Sequence, residues 1–379
     1  MHFTVLSAIP LPQDIPTAVN EIPVDDVVVY ATEKLLLKSL SSGKPLTAQE
    51  VEATMIDSER WECFVEKLVD DLLVPYDENN TDIAYMVFDD RTDEGKETYE
   101  QKGIDCVRTP DGRIIACCNY EFEKRYELHD GKVFRKCFGP LHHRKLTKKS
   151  KQYLALPDYP FRKLFPTFDA FMTDWWGCTI EEGTGRYGYY FNPNEQWDWW
   201  QIGGRWPFCF LVKNDCTSVV TGEPSRLSKE KPHWNAPEGY RWVAGARKCD
   251  IAWDVMREFI RQKNTERFHQ YEEWFTTGCI PEKYAGRMVL VKDGIVSMGD
   301  YLYHKGEDLE HCINRLVPLG EDQYPIVTFA YVDADGWSDQ GWETLNLGED
   351  ETQAWNKAVA DFITKQPDNA LLISVDCHT

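Results

Sequence analysis

The chain lacks long apolar runs. Stretches such as residues 27–30 and 83–88 fall far short of the roughly 20 residues that cross a bilayer, so no membrane span is expected. No secretory leader is expected either, because Met1-His2-Phe3-Thr4-Val5-Leu6 has neither a basic start nor a long apolar stretch behind it. A reducing, cytoplasmic setting is the expectation. The 12 cysteines include no Cys-x-x-Cys pair, which argues against a zinc module, and without a leader they read as reduced thiols, not a disulfide framework. Cys117, Cys118, Cys137, His142 and His143 supply thiolate and imidazole in neighbouring segments, but not at zinc-module spacing. A Walker loop, a Rossmann glycine string, a nucleophile elbow and a zincin helix are all absent, and with them the familiar enzyme classes lose weight. Whether the chain is an enzyme stays open, and no cofactor is indicated.

What is present is a foldable composition. Hydrophobic residues make up 42% of the 379 and aromatics 13%, far from the composition of disorder. The length suits one large domain or two ordinary ones. The net charge of −21 is unevenly spread: residues 1–100 hold 22 acidic and 7 basic side chains, 101–300 hold 26 and 31, and 301–379 hold 15 and 4. Acidic ends around a mildly basic middle repel bare nucleic acid globally, yet leave room for a phosphate or an acidic partner in the middle. The acidic ends could instead imitate nucleic acid.

Hydrophobic periodicity predicts an α+β fold, with mixed or antiparallel sheets packed against amphipathic helices. Strands are expected at 3–6 and 27–30, followed by a helix through Leu35, Leu36 and Leu40. A second helix starts at Asp57 with Ser58 as N-cap, carries Trp61, Val65, Leu68 and Leu72 on one face, and stops before Pro75. Strands at 113–120, 121–128 and 132–138 follow, the last two joined at His129-Asp130-Gly131 as a hairpin. Residues 136–151 form a basic, exposed stretch. Later come a helix at 250–274 with Ile251, Val255 and Phe259 as its stripe, strands at 288–291 and 326–332, a helix at 351–364 and a last strand at 371–375. A division into 1–165 and 166–379 is expected.

The densest constellation is Asn192-Pro193-Asn194-Glu195-Gln196-Trp197-Asp198-Trp199-Trp200-Gln201-Ile202-Gly203-Gly204-Arg205-Trp206. Asn-Pro-Asn is turn chemistry, and Gly-Gly permits positive φ, so Arg205 leaves a tight bend beside the tryptophans. Trp197 and Trp199 could stack a planar ring while Arg205 holds a phosphate or carboxylate. The same string could equally be a tryptophan-rich core with Asp198 and Arg205 as an internal ion pair. Arg247, Asp250, Asp376 and His378 are the other candidate ligand-binding residues. Asp376 and His378, two apart, would share a strand face, which permits one metal or a general acid/base pair.

This tryptophan string resembles the signature of a family of bacteriophage and plasmid proteins. Further similar stretches are His2-Phe3-Thr4-Val5, Val74-Pro75-Tyr76-Asp77-Glu78-Asn79, Ala246-Arg247-Lys248-Cys249-Asp250-Ile251 and Val375-Asp376-Cys377-His378. The resemblance implies a phage-type accessory protein in the cytoplasm of a bacterial host. Together with the absent catalytic signatures and the aromatic-plus-Arg pocket, this leads to the expectation that it acts by binding, as an inhibitor of a host defence protein or as a sink for a nucleotide-like signal. A metal-dependent hydrolase or nuclease using Asp198, Asp250, Asp376 and His378 is the alternative.

Overall fold

The computed structural model describes residues 1–12, 19–23, 26, 56–101, 106–108, 113–116, 120–129, 132–135, 155–156, 158–224, 232–277, 288–291, 294–297, 317–341 and 349–379. The strand expected at 27–30, the helix through Leu40, the basic stretch 136–151 and the cysteines at 117, 118 and 137 lie outside them. Helices and mixed sheets give the expected α+β fold. The chain divides into two compact units, one formed by Met1–Asn80 with Asn194–Thr379 and one by Thr81–Pro193. That differs from a cut at residue 165: the second unit is an insertion, and the first is closed by strands from both chain ends.

In the first unit, besides a hairpin of Met288–Val291 and Gly294–Ser297 and short 3-10 turns, the elements are β1 (His2–Ile9), α1 (Ile56–Leu73), β2 (Trp199–Gly204), β3 (Phe210–Lys213), β4 (Val219–Val220), β5 (Glu223–Pro224), β6 (Tyr240–Val243), β7 (Gly245–Arg247), α2 (Trp253–Thr277), β8 (Ala330–Asp333), β9 (Gly336–Asp339), α3 (Glu349–Lys365) and β10 (Leu371–His378). Strands β3 and β6 pair apart from the main sheet. Among the described residues that main sheet has eight strands, in the order β4-β7-β10-β1-β8-β9, with β2 on β10 and β5 on β2. β1 and β10 pair antiparallel over their whole length, from His2 opposite His378 to Ile9 opposite Leu371. On its other edge β10 pairs first with β7 and then, near its end, with β2. The last strand thus runs three residues past the expected 371–375.

Alternation sorts the two faces. Phe3, Val5 and Ile9 of β1, with Leu371, Ile373, Val375 and Cys377 of β10, join Phe64, Val65, Val69 and Leu73 of α1 in one core. Leu6, Ala8 and Leu372 face the other way, into a core with Met256 and Ile260 of α2 and Val359, Phe362 and Ile363 of α3. α1 carries the expected stripe and exposes Asp70 and Asp71, although it begins before Ser58, which lies inside it. It gives way at Val74 to a single 3-10 turn containing Pro75. In α2 the buried stripe is Met256, Ile260 and Asn264; Val255 and Phe259 are half-buried, and Ile251 is buried ahead of the helix, bridged to Val212.

The inserted unit has an aromatic core of Tyr99, Phe161, Phe165 and Phe171 with Met172 and Cys178. Arg162 covers the Tyr99 ring at 3.6 Å and donates to the Tyr99 carbonyl. The hairpin expected around Asp130-Gly131 is present, with Tyr126–His129 paired to Lys132–Arg135. Residues 120–125, expected as strand, form a short helix instead, and the preceding strand is only Ile114–Ala116. No described helix is long and apolar enough to cross a membrane.

One ion pair on a buried carboxylate makes the first unit pH-sensitive. Asp333 at the end of β8 accepts from Lys365 at 2.9 Å, from Gln366 at 2.7 Å and from the Asp335 N–H at 3.0 Å. Burial pushes its carboxyl up, but these hydrogen bonds outweigh burial and hold it below the usual carboxylate value. A carboxyl that sheds its proton more readily folded than unfolded stabilises the fold above about pH 4, and that contribution is lost as pH falls through the folded-state value. The Lys365 ammonium is raised, chiefly by its hydrogen bond to Asp333, so its share persists up to about pH 10 and fades above. Asp333→Asn is expected to cost roughly 1–3 kcal/mol at neutral pH and to flatten the fall in Tm below about pH 4. An acid limb as steep as that of the unaltered protein would contradict this.

Candidate functional site

Near one end of the β1–β10 pair the second sheet face turns from apolar to polar. Moving from Ala8 and Leu372 through Leu6 and Ser374, it reaches Thr4 opposite Asp376 and His2 opposite His378. Directly opposed residues of antiparallel strands share a face. Trp199 opposite His378 and Gln201 opposite Asp376 extend this polar end onto β2.

Two histidine–carboxylate pairs form here. His2 Nδ1 lies 2.9 Å from Asp376 Oδ1, and His378 Nδ1 lies 2.7 Å from Asp198 Oδ1. The two imidazoles meet edge-on with ring centroids 4.8 Å apart, and His2 also meets Trp199 edge-on at 6.0 Å. Asp376 is fully buried, while the side chains of His2 and His378 keep 22% and 39% exposure. Asp376 sits behind its ring, whereas Asp198 is 31% exposed beside His378. A ring tethered through Nδ1 has its tautomer and orientation fixed and leaves Nε2 for a ligand or a proton.

Local chemistry explains how each group arrives. Glycine is needed at 204, where φ is +49° and a β-carbon would overlap Asp376. With the bend closed by the Trp206 N–H on the Gly203 carbonyl at 2.7 Å, the Arg205 N–H donates to Asp376 Oδ2 at 2.9 Å. Asp376 therefore has both oxygens engaged. The other carboxylate is placed by the Val74-Pro75-Tyr76-Asp77-Glu78-Asn79 segment. The Tyr76 carbonyl accepts from the Gln196 N–H, the Glu78 N–H donates to the Trp197 carbonyl, and the Trp197 indole donates to the Leu73 carbonyl at 3.1 Å. The Asp198 N–H then donates to the His378 carbonyl at 2.8 Å. Two stretches flagged separately in the sequence thus build one loop.

Of the expected site residues, the structure brings Asp198, Trp199, Arg205, Asp376 and His378 together and separates the rest. Trp197 is 5% exposed and belongs to the core around α1, held ahead of β2 by its indole bond to the Leu73 carbonyl; within β2 alternation turns Trp200 inward and leaves Trp199 44% exposed. Arg247 stands opposite Leu371, five strand residues or roughly 17 Å from Asp376, and is paired with Asp250 at 2.6 Å. The single pocket expected from Trp197, Arg247 and Asp250 together with the others is therefore not assembled. The four-residue metal set fails for the same reason, since Asp250 sits apart. Among the described residues no three His, Cys, Asp or Glu side chains converge to hold a metal. The internal Asp198–Arg205 ion pair is also not formed, because Asp198 takes His378 instead.

Arg205 is half-buried, and its Nε is buried without a partner. Among arginines with described side chains, its guanidinium is the one that makes no hydrogen bond, ion pair or ring contact. His2 is the residue that sequence reasoning left out of the site. The signal was available: His2 and Thr4 alternate with Phe3 and Val5 just as Asp376 and His378 alternate with Val375 and Cys377. Comparison with family models, with curated proteins and with solved structures finds no match.

Proposed function

We propose that this chain acts by binding a nucleotide-like anion at the His2–His378 centre, as an accessory protein of the phage type that the sequence resembles. The observation that carries the reading is Arg205, a guanidinium left without a carboxylate in a chain of 63 acidic and 42 basic side chains. An unpaired, half-buried arginine favours an external anion, because charge-assisted hydrogen bonds are the strong ones. Two imidazoles add donors when protonated, and the exposed Trp199 and Trp206, at 44% and 36%, offer faces for a planar ring. In a bacterial host such a site serves either to sequester a nucleotide signal or to occupy a defence protein that uses one.

Arg205→Ala is expected to lose roughly 1.5–3 kcal/mol of ligand affinity with little change in Tm, since no internal ion pair is broken. Native mass spectrometry of the purified chain, followed by calorimetric titration of the nucleotide recovered, checks both. A large drop in Tm with no ligand found would retire the reading.

A further inference from the structure

We infer that the two anchored imidazoles are a general base and a general acid that cleave the phosphodiester of a small ribonucleotide. This rests on the anion-binding reading and adds a reaction to it. Binding alone needs donors; it does not need two rings each oriented by its own carboxylate. His2 is held by Asp376 and His378 by Asp198, at 2.9 and 2.7 Å, and their edge-on contact at 4.8 Å places two proton-transfer groups around one small volume. Among the described residues neither ring has a hydrogen-bond partner at Nε2. Arg205, whose backbone N–H is bonded to Asp376, is the cation assigned to the phosphate.

The step balances without a further reactant. One imidazole takes the proton from the ribose 2′-hydroxyl through Nε2, and the 2′-oxygen attacks phosphorus. The bond from phosphorus to the 5′-oxygen breaks, and that oxygen takes a proton from Nε2 of the other ring, now an imidazolium. The products are a 2′,3′-cyclic phosphate and a free 5′-hydroxyl. Water entering by the reverse roles opens the cyclic phosphate and returns each ring to its starting state. The neighbouring hydroxyl suits such a site because it is already in place and asks only for proton removal. A small substrate is favoured over long RNA by the net charge of −21, which repels an extended polyanion.

The test uses the full chain with adenylyl-uridine, its 2′-deoxy counterpart and, in parallel, a longer single-stranded RNA, all in excess chelator. Adenylyl-uridine should yield the cyclic phosphate with a bell-shaped pH profile, since one ring must be neutral and the other protonated. The deoxy compound should bind without being cleaved. His378→Ala, whose partner Asp198 is partly exposed and so readily rehydrated, should lose roughly 10²–10⁴-fold in rate while keeping its Tm. His2→Gln, which retains a donor toward the buried Asp376, should do the same. Cleavage that appears only when the chelator is replaced by a divalent metal, cleavage of the deoxy compound, or unchanged rates in folded variants of both histidines would overturn the two-histidine mechanism. Faster cleavage of the long RNA would overturn the small-substrate assignment. Arg205-dependent binding of adenylyl-uridine without cleavage would overturn this inference and leave the binding reading standing; absence of both would sink the two together.

Discussion

A chain lacking residues 370–379 is expected not to fold. β10 is hydrogen-bonded along one edge to β1 over all eight of its residues and along the other to β7 and β2, so its removal unpairs three strands at once. Residues 371–377 are all buried. Burial of Leu371, Leu372, Ile373 and Val375 alone contributes about 6–12 kcal/mol, at about 1.5–3 kcal/mol each, which is the size of a whole domain's stability of about 5–15 kcal/mol. The strand also belongs to both cores, since Leu372 faces α2 and α3 while Ile373 faces α1. Circular dichroism of the truncated chain should show no cooperative melt. A melting curve matching the full chain would refute the account.

Gly204→Ala should damage both the fold and the site. Its φ of +49° costs an alanine about 1–2 kcal/mol, and the added β-carbon runs into the side chain of Asp376, whose position is fixed by β1 on one side and β2 on the other. Overpacking of this kind costs about 1–3 kcal/mol, so a total of about 2–5 kcal/mol is expected. Asp376 must move for the variant to fold, which releases the Arg205 N–H and the His2 ring together. Thermal melting combined with ligand titration measures both effects. A variant with unchanged Tm and affinity would show that the close approach has no consequence.

Secondary structure was legible where one period dominated. The amphipathic pattern from Trp61 to Leu72 predicts α1 closely, and Asp130-Gly131 between apolar segments predicts its hairpin. Residues 120–125 misled because Tyr120 and Phe122 alternate like strand residues although the segment folds as a helical turn. In α2 the error was of phase: Ile251 is buried by a bridge to Val212 before the helix begins, so a stripe counted from it is one residue out. The site was half legible. Asp376 and His378 were placed on one face by their spacing, and Asp198 and Arg205 by their bend. Which other groups meet them depends on strand register, which local sequence does not specify. Register puts His2 opposite His378 and puts Arg247 opposite Leu371, uniting residues from the two ends of the chain and parting two that lie in a shared resemblance. Trp199 and Trp200 are told apart by parity, once it is known that β2 has one face in a core; Trp197, which has the same parity as Trp199, lies ahead of β2 and is turned inward by its bridge to Asp77 and its indole bond to Leu73.

The pairing of β1 with β10 also sets a timetable for synthesis. Ile9 and Leu371 are partners with roughly 360 residues between them. At about 5–20 residues per second, β1 leaves the ribosome on the order of 20–70 s before the strand that covers it. The parallel partner β8 arrives only some forty residues sooner, at roughly 2–8 s before β10 at the same pace. The inserted unit, Thr81–Pro193, is continuous in the chain and can complete its aromatic core while the first unit still waits. For most of translation the apolar side chains of β1 have no native strand to meet, which makes the nascent chain a natural client for a holding chaperone.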